Sequence, residues 1–213
     1  MFADDTTISA YGQTIDKVHN SLQTTANHAI KWYNHNSMVP NISKTKTMYI
    51  SATHCYNHIT NYTQNNHMYM QGEALTYSSV EKLLGVHVDQ QLNWKFHVEQ
   101  MLKKCNKQLY LLMRIKQYLS VHSRKLFFNA YILPHLDYCS TIWGSCNDEV
   151  LNSVVKFQKR AARIILDKDI NTPSVELFRE LKWMTFPDRT IYKKAIIVYK
   201  SLNDTSPAYL NSK

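Results

Sequence analysis

Glycine is scarce in this chain, with four in 213 residues. That excludes long glycine-rich loops, and no G-x-x-x-x-G-K-[ST] phosphate loop is present. Cysteine is also sparse. Cys55, Cys105, Cys139 and Cys146 form no C-x-x-C pair. No secretory leader pattern opens the chain, so a disulfide framework is not expected and an intracellular placement, nuclear or cytoplasmic, is. The cluster His54-Cys55-x-x-His58 has metal-ligating residue types, but it lacks the partner pair of a closed zinc site. No apolar run approaches the ~20 residues of a membrane span. Three Asn-x-Ser/Thr triplets, at Asn41, Asn61 and Asn203, carry meaning only on a secretory path.

Acidic charge is short in one part only. Residues 1–80 hold four basic and four acidic residues, and residues 81–213 hold 21 basic and 12 acidic, so the whole net charge of +9 lies in the C-terminal part. A basic region joined to a neutral one is the electrostatic footprint of a polyanion partner. The plainer alternative is a solvated, lysine-rich helical surface. A chain of this length can bury roughly 70% of its unfolded surface, as one domain or two small ones.

Hydrophobic spacing predicts a helix from Thr14 to about His35 (Ile15, Val18, Leu22, Ala26, Ile30). Residues 52–80 read as short strands and loops, with a hairpin turn at Gln71-Gly72-Glu73, and residues 82–89 as one strand with Gly85 at a bend. From Asn93, a plausible N-cap, the pattern is helical. A second helix is expected over about Ser120–Leu133, ending at Pro134. A third follows Asn147, a short one opens at Thr172-Pro173, and the last runs from Asp188 to about Leu202. The expected fold class is α+β, with residues 1–91 mixed and residues 92–213 all-helical.

Phe2-Ala3-Asp4-Asp5-Thr6 opens the chain. Read from its residues, it is the tip of a β-hairpin with two adjacent carboxylates, the hard ligands that Mg²⁺ takes. Paired aspartates serve two-metal phosphoryl transfer in this way. The alternative is an ordinary turn or N-cap cluster. Three further stretches follow in order: Asn41-x-x-Lys44-Thr45; Leu83-Leu84-Gly85-Val86-x-x-Asp89-x-x-Leu92-x-Trp94-x-x-His97; and Pro134-x-Leu136-x-Tyr138, with Trp143-Gly144 and Gln158-x-Arg160-Ala161-Ala162-Arg163-Ile164-Ile165. Together they resemble the C-terminal palm and thumb of reverse transcriptases from jockey-like non-LTR retrotransposons. The resemblance covers nearly the whole chain.

The resemblance implies roles residue by residue. Asp4 would ligate the metal directly and Asp5 would support it, with Mg²⁺ as the ion and Mn²⁺ as its substitute. Two adjacent carboxylates raise one another's pKa unless a cation sits between them. Phe2 stands where the more familiar family motif has Tyr. Lys44 would place a cation near the departing pyrophosphate. Leu84, Gly85 and Val86 would lie in the hairpin that grips the primer end, with Gly85 allowing close approach. Lys103, Lys104, Lys107 and Arg114, and a second cluster of Lys156, Lys159, Arg160 and Arg163, would contact duplex backbone. Lys103 and Lys107, spaced i, i+4, share a face. Most of the 14 tyrosines read as core residues.

The implied activity is RNA-directed DNA polymerisation, a nucleotidyl transfer. Its partners are an RNA template, a DNA primer and deoxynucleoside triphosphates, with no membrane. The first catalytic aspartate and the fingers of that family have no counterpart here, which implies a missing N-terminal polymerase portion. The expectation is a fragment that is inactive by itself and prone to stick through exposed apolar faces. The competing expectations are a non-catalytic nucleic-acid-binding module and a retroelement remnant.

Overall fold

The computed structural model describes residues 6–52 and 55–211. The chain forms two compact units, Met1–Lys82 with Val88–Leu92, and Leu83–His87 with Asn93–Lys213. The architecture is α+β, rich in helix and with few, short strands.

The first unit is organised on helix α1, Ile15–His35. Thr14 stands at its N-cap with extended backbone, its hydroxyl accepting the Lys17 N–H, and Asp16 sits in the first turn, where a carboxylate favours the helix dipole. Leu22, Ala26 and Ile30 recur at helical spacing. They pack with Met68, Met70, Leu75, Ile42 and Tyr77 as the core of this unit. A 3-10 turn, Ile42–Lys44, leads into β1, Lys46–Thr47. Helix α2 follows, Tyr56–Asn65, then β2, Tyr69–Met70, and β3, Glu73–Ala74. These two strands pair antiparallel around Gln71-Gly72, both at positive φ. Strand β4, Thr76–Tyr77, pairs parallel with β1. The Gln23 side chain donates to the Tyr69 carbonyl at 2.8 Å and accepts its N–H at 2.9 Å, so α1 pins β2 through both backbone groups. Tyr49 is buried, shares a hydrogen bond with His19 at 2.9 Å and stacks on Tyr77. Burial pushes its phenol pKa up.

Two expectations fail in this unit and at its boundary. Residues 56–65 are helical where short strands were expected. Ile59, Tyr62 and Thr63 stand at i, i+3, i+4, all partly buried, and the Tyr62 ring meets His19 edge-on at 5.7 Å. Packing of that face overrides a weak intrinsic propensity. Residues 82–89 are two strands, not one. Strand β5, Val80–Leu83, turns back into β6, Val86–Asp89, through Leu84 and Gly85.

The second unit is helical apart from the hairpin tip. Helix α3, Lys95–Ile115, buries Val98, Met101, Cys105, Leu109 and Leu112 as one stripe. The residue at its N-cap position is Trp94, at φ 64°, and Asn93 lies one place earlier, its side chain accepting the Lys95 N–H at 2.9 Å. Helix α4, Val121–Tyr131, is capped by the Ser120 hydroxyl on Ser123 N–H. Pro134 does not simply stop a helix. It sits in the first turn of α5, Leu133–Asp137, where a missing N–H costs nothing. Then come α6, Ser140–Trp143; α7, Asp148–Leu166, capped by Asn147 on Val150 N–H; α8, Ser174–Leu181, with Pro173 at its N-cap; α9, Phe186–Leu202, capped by Thr185; and α10, Ala208–Asn211.

Trp143 is fully buried and stacks on Phe186 at 5.0 Å, and its indole N–H donates to the Tyr138 carbonyl at 2.7 Å. Leaving that N–H without a partner would cost about 1–3 kcal/mol. A Cβ on Gly144 would lie 2.3 Å from the Ser140 carbonyl oxygen and 2.7 Å from Thr190 Cγ2. The Trp-Gly pair is therefore a packing joint between α6 and α9. No helix among the described residues is long and apolar enough to cross a membrane.

Candidate nucleic-acid interface

The basic side chains of α3 follow from the helix repeat of about 100° per residue. Val98, Met101, Cys105, Leu109 and Leu112 face the core. Lys103, Lys107 and Arg114 fall on the opposite face and are exposed. Tyr110, 59% exposed, lies on that stripe too, at i+7 from Lys103. Lys104 is turned about 100° away from Lys103. Its charge acts on His97 instead, helping to lower that imidazole's pKa. Among the described residues Lys103, Lys107 and Arg114 enter no ion pair, whereas Lys116 pairs with Asp167. The three are thus uncommitted cations on one solvent-facing line.

The second cluster divides. Lys156 and Arg160 line an open cleft of about 260 Å³ with Leu102, Asn106, Ser153 and Phe157. Arg160 lies over the Phe157 ring, 5.8 Å from its centre, and donates to the Asn106 side-chain oxygen. Two cations and an amide around one cleft suit a phosphate group, while the Ser153 hydroxyl is engaged, donating to the Val150 carbonyl at 2.6 Å. Lys159 is only half exposed. Arg163 is half-buried and donates to the Thr172 carbonyl at 3.1 Å, so its guanidinium ties α7 to the following loop.

The hairpin tip of the expected primer grip is well defined. Leu83 and Leu84 are exposed and Val86 is buried. Leu84 and Gly85 have φ values of 46° and 89°. Nδ1 of His97, itself buried, accepts the His87 backbone N–H at 3.3 Å, which ties the returning strand to α3. Burial pushes the His97 pKa down, and the charges of His87 and Lys104 act the same way. Asp89 Oδ1 accepts the Gln91 N–H at 3.1 Å, so this aspartate closes the turn after β6.

Lys44 ends the 3-10 turn and is exposed. Asn41 accepts the Lys44 N–H at 3.2 Å and the Ser43 hydroxyl at 2.8 Å, and the Thr45 hydroxyl donates to the Asn41 carbonyl at 2.8 Å. The N-x-x-K-T stretch is thereby a self-bonded turn that presents its lysine to solvent. Asp4 and Asp5, with Phe2, lie outside the described residues, as does His54. Among the described residues no group of three or more His, Cys, Asp or Glu is placed to hold a metal ion. Burial raises the Cys105 thiol to about 12, which makes it an inert core residue.

Three residues were not singled out from sequence. Asn106 was invisible because its role depends on α3 meeting α7. Tyr110 was readable from its spacing with Lys103, Lys107 and Arg114. Tyr138 had only its place in a motif. Compared with protein-family models, curated proteins and solved structures, the chain matches none.

Proposed function

We propose that this chain is the palm and thumb portion of an RNA-directed DNA polymerase of the non-LTR retroelement kind. The observation that carries the reading is the exposed line Lys103–Lys107–Arg114, with Tyr110 among the cations, in the same helical unit as the Leu84–Gly85 tip. Cations without acidic partners suit a duplex backbone, and an exposed aromatic among them suits a base or sugar face. The four motif stretches, in the order found in jockey-like reverse transcriptases, support the same assignment.

In this reading Asp4 and Asp5 would hold the catalytic Mg²⁺, for which adjacent carboxylates are suitable hard ligands. Bound there, the ion would supply Lewis-acid stabilisation of the transferred phosphoryl group. Lys44 would neutralise charge on the leaving pyrophosphate and donate a proton to it. The helical unit holds the template–primer duplex. In this reading the 213 residues supply duplex binding and part of the catalytic centre, and do not polymerise by themselves.

The test is fluorescence anisotropy with an RNA–DNA template–primer across 50–200 mM salt. Binding should weaken steeply, by roughly tenfold or more if a few phosphates are contacted. Absent or salt-independent binding sinks the reading. Primer extension by this chain with Mg²⁺ or Mn²⁺, abolished by Asp4→Asn, would overturn its division of labour. Duplex binding indifferent to Asp4→Ala, together with no activity in any longer frame, would leave a non-catalytic nucleic-acid-binding module.

A further inference from the structure

Helix α9 carries apolar side chains on the side away from the core as well as toward it. Its inward side is marked by Phe186 and Thr190, both buried. At about 100° per residue, Ile191, Tyr192, Ala195, Val198, Tyr199 and Leu202 fall on one arc of roughly 120° that points the other way. Ala195 is exposed, and the other five are 55–78% exposed. A surface helix ordinarily carries polar residues on that side, and a helix that is apolar all round is one that becomes buried. The six side chains present roughly 700 Å² of surface, more than a monomer ordinarily leaves in one apolar patch.

The cations of α9 do not guard this face. Arg189 and Lys193 both turn to Asp137, at 2.7 and 2.9 Å. Lys194 donates to the Ser145 hydroxyl. Asp188 stands at the N-terminal end of the arc, and Lys200 flanks its C-terminal end, both exposed. Ile191, Ala195, Val198 and Leu202 have the alternating four-and-three spacing with which one helix meshes with another. Ala195 sits mid-stripe, and a small side chain at the contact lets two helix axes approach closely.

We propose that this face pairs with the same face of a second copy of the chain, α9 against α9, antiparallel about a two-fold axis at Ala195. Three observations select this occupant. The exposed stripe comes close to the ~800 Å² per side of a standard interface between two proteins. A two-fold axis makes the patch its own complement: each Ile191 lies across from Tyr199 and each Tyr192 across from Val198, so every ring meets a branched side chain. The antiparallel sense also sets the Asp188 end of one helix beside the Lys200 end of the other. Opposite charges then meet at both rims, and the helix dipoles are opposed. The pairing does not rest on the polymerase reading, whose line of cations lies on α3.

The test is sedimentation equilibrium of the full chain at about 1 to 100 µM. The wild type should be half dimeric at or below about 10 µM, the weak end of the range for interfaces of standard size. Val198→Glu sets a carboxylate inside the pair and should weaken dimerisation by about tenfold or more. The melting temperature of the dilute monomer should not change, because this side chain is exposed. Ile191→Glu repeats the test at a second exposed position. Orientation is read by mixing variants. Ile191→Cys and Tyr199→Cys chains together should form an intermolecular disulfide. Each alone should form none beyond the wild-type level, since like positions then lie about 12 Å apart along the helices, too far for a disulfide. A wild type that is monomeric throughout overturns the proposal. So does a dimer that both glutamate variants leave intact, because its interface lies elsewhere. A disulfide in the Ile191→Cys chain alone overturns the antiparallel arrangement. A monomer that co-sediments with phosphatidylserine vesicles, and no longer does so as Val198→Glu, overturns the proposal in favour of a membrane surface.

Discussion

Nδ1 of His97 accepts the backbone N–H of His87 at 3.3 Å, while the His97 ring meets Trp143 edge-on at 5.6 Å between centres. The tip-side end of β6 is thereby tied to α3 through one neutral imidazole. Protonation would place a proton on the accepting nitrogen and a charge in the core. His97 Nε2 is buried with no hydrogen-bond partner among the described residues. The pKa is held below its ordinary 6.5 by burial first, then by His87 and Lys104. The unfolded chain therefore binds a proton that the folded chain refuses. Stability from this site is complete above 6.5 and declines as pH falls from there to the folded value. Urea midpoints between pH 8 and pH 5 should show this loss. His97→Asn keeps an acceptor near the Nδ1 position and should flatten that slope while lowering stability at pH 8, through lost ring packing. An unchanged slope would assign the pH dependence to other histidines.

Asp137 takes two cations from α9. It accepts from Arg189 Nε at 2.7 Å and lies 2.9 Å from Lys193 Nζ. Burial acts to raise its pKa, and the bonds and charges of Arg189 and Lys193 outweigh it, so the carboxyl titrates below its ordinary value. The pair contributes stability above the unfolded carboxylate pKa, lost as pH falls through the lower folded value. All three side chains are partly exposed, so solvent screening trims the effect. Asp137→Ala, leaving two cations facing each other, should cost roughly 1–3 kcal/mol in urea unfolding at pH 7. A change under about 0.3 kcal/mol would show that the pair is a surface contact of no consequence.

Two glycines separate packing from backbone preference. Gly144→Ala sets a methyl group 2.3 Å from a backbone oxygen and 2.7 Å from Thr190. Neither neighbour is the loose end of a long side chain. The substitution should destabilise the helical unit by roughly 1–3 kcal/mol or more. Gly72→Ala meets nothing within 4 Å, but its φ is 84°. It should cost only about 1–2 kcal/mol of left-handed strain. Differential scanning calorimetry of the two variants checks the order, and a harmless Gly144→Ala would refute the α6–α9 joint.

What the sequence made legible was the helical frame. Thr14, Ser120 and Asn147 are capping residues before apolar stripes, and each caps a helix. The features that escaped depend on partners distant in sequence. Gly85 signals a bend, but nothing local marks Leu84 for its left-handed φ of 46°, and the Tyr138 hydroxyl that donates to its carbonyl is 54 residues away. Residues 56–65 carry few apolar side chains, and their helical face is apparent only once His19 is seen against Tyr62. On α3, spacing alone puts Lys103 and Lys107 on one face. Only packing shows that Arg163 is engaged with the Thr172 carbonyl, and that Arg160 shares its cleft with Asn106.

That division of cations predicts a division of phenotypes. Each lysine or arginine that neutralises a phosphate adds roughly 0.7–0.9 to the magnitude of the slope of log affinity against log salt. Lys103→Ala, Lys107→Ala and Arg114→Ala should each lower that magnitude by about this amount, and the triple variant by roughly two to three, with stability unchanged. Lys104→Ala, off the line, should leave the slope nearly intact and raise the His97 pKa, as followed by imidazole proton shifts. Arg163→Ala should behave oppositely to the stripe variants, losing melting temperature with little change of slope, because its guanidinium holds a loop. Tyr110→Ala should weaken binding without altering the slope, since stacking releases no counterions, by roughly 1–3 kcal/mol if a base lies on the ring. Should Arg163→Ala change the slope and Lys103→Ala not, the interface lies on α7 and the α3 stripe is only a solvated helix face.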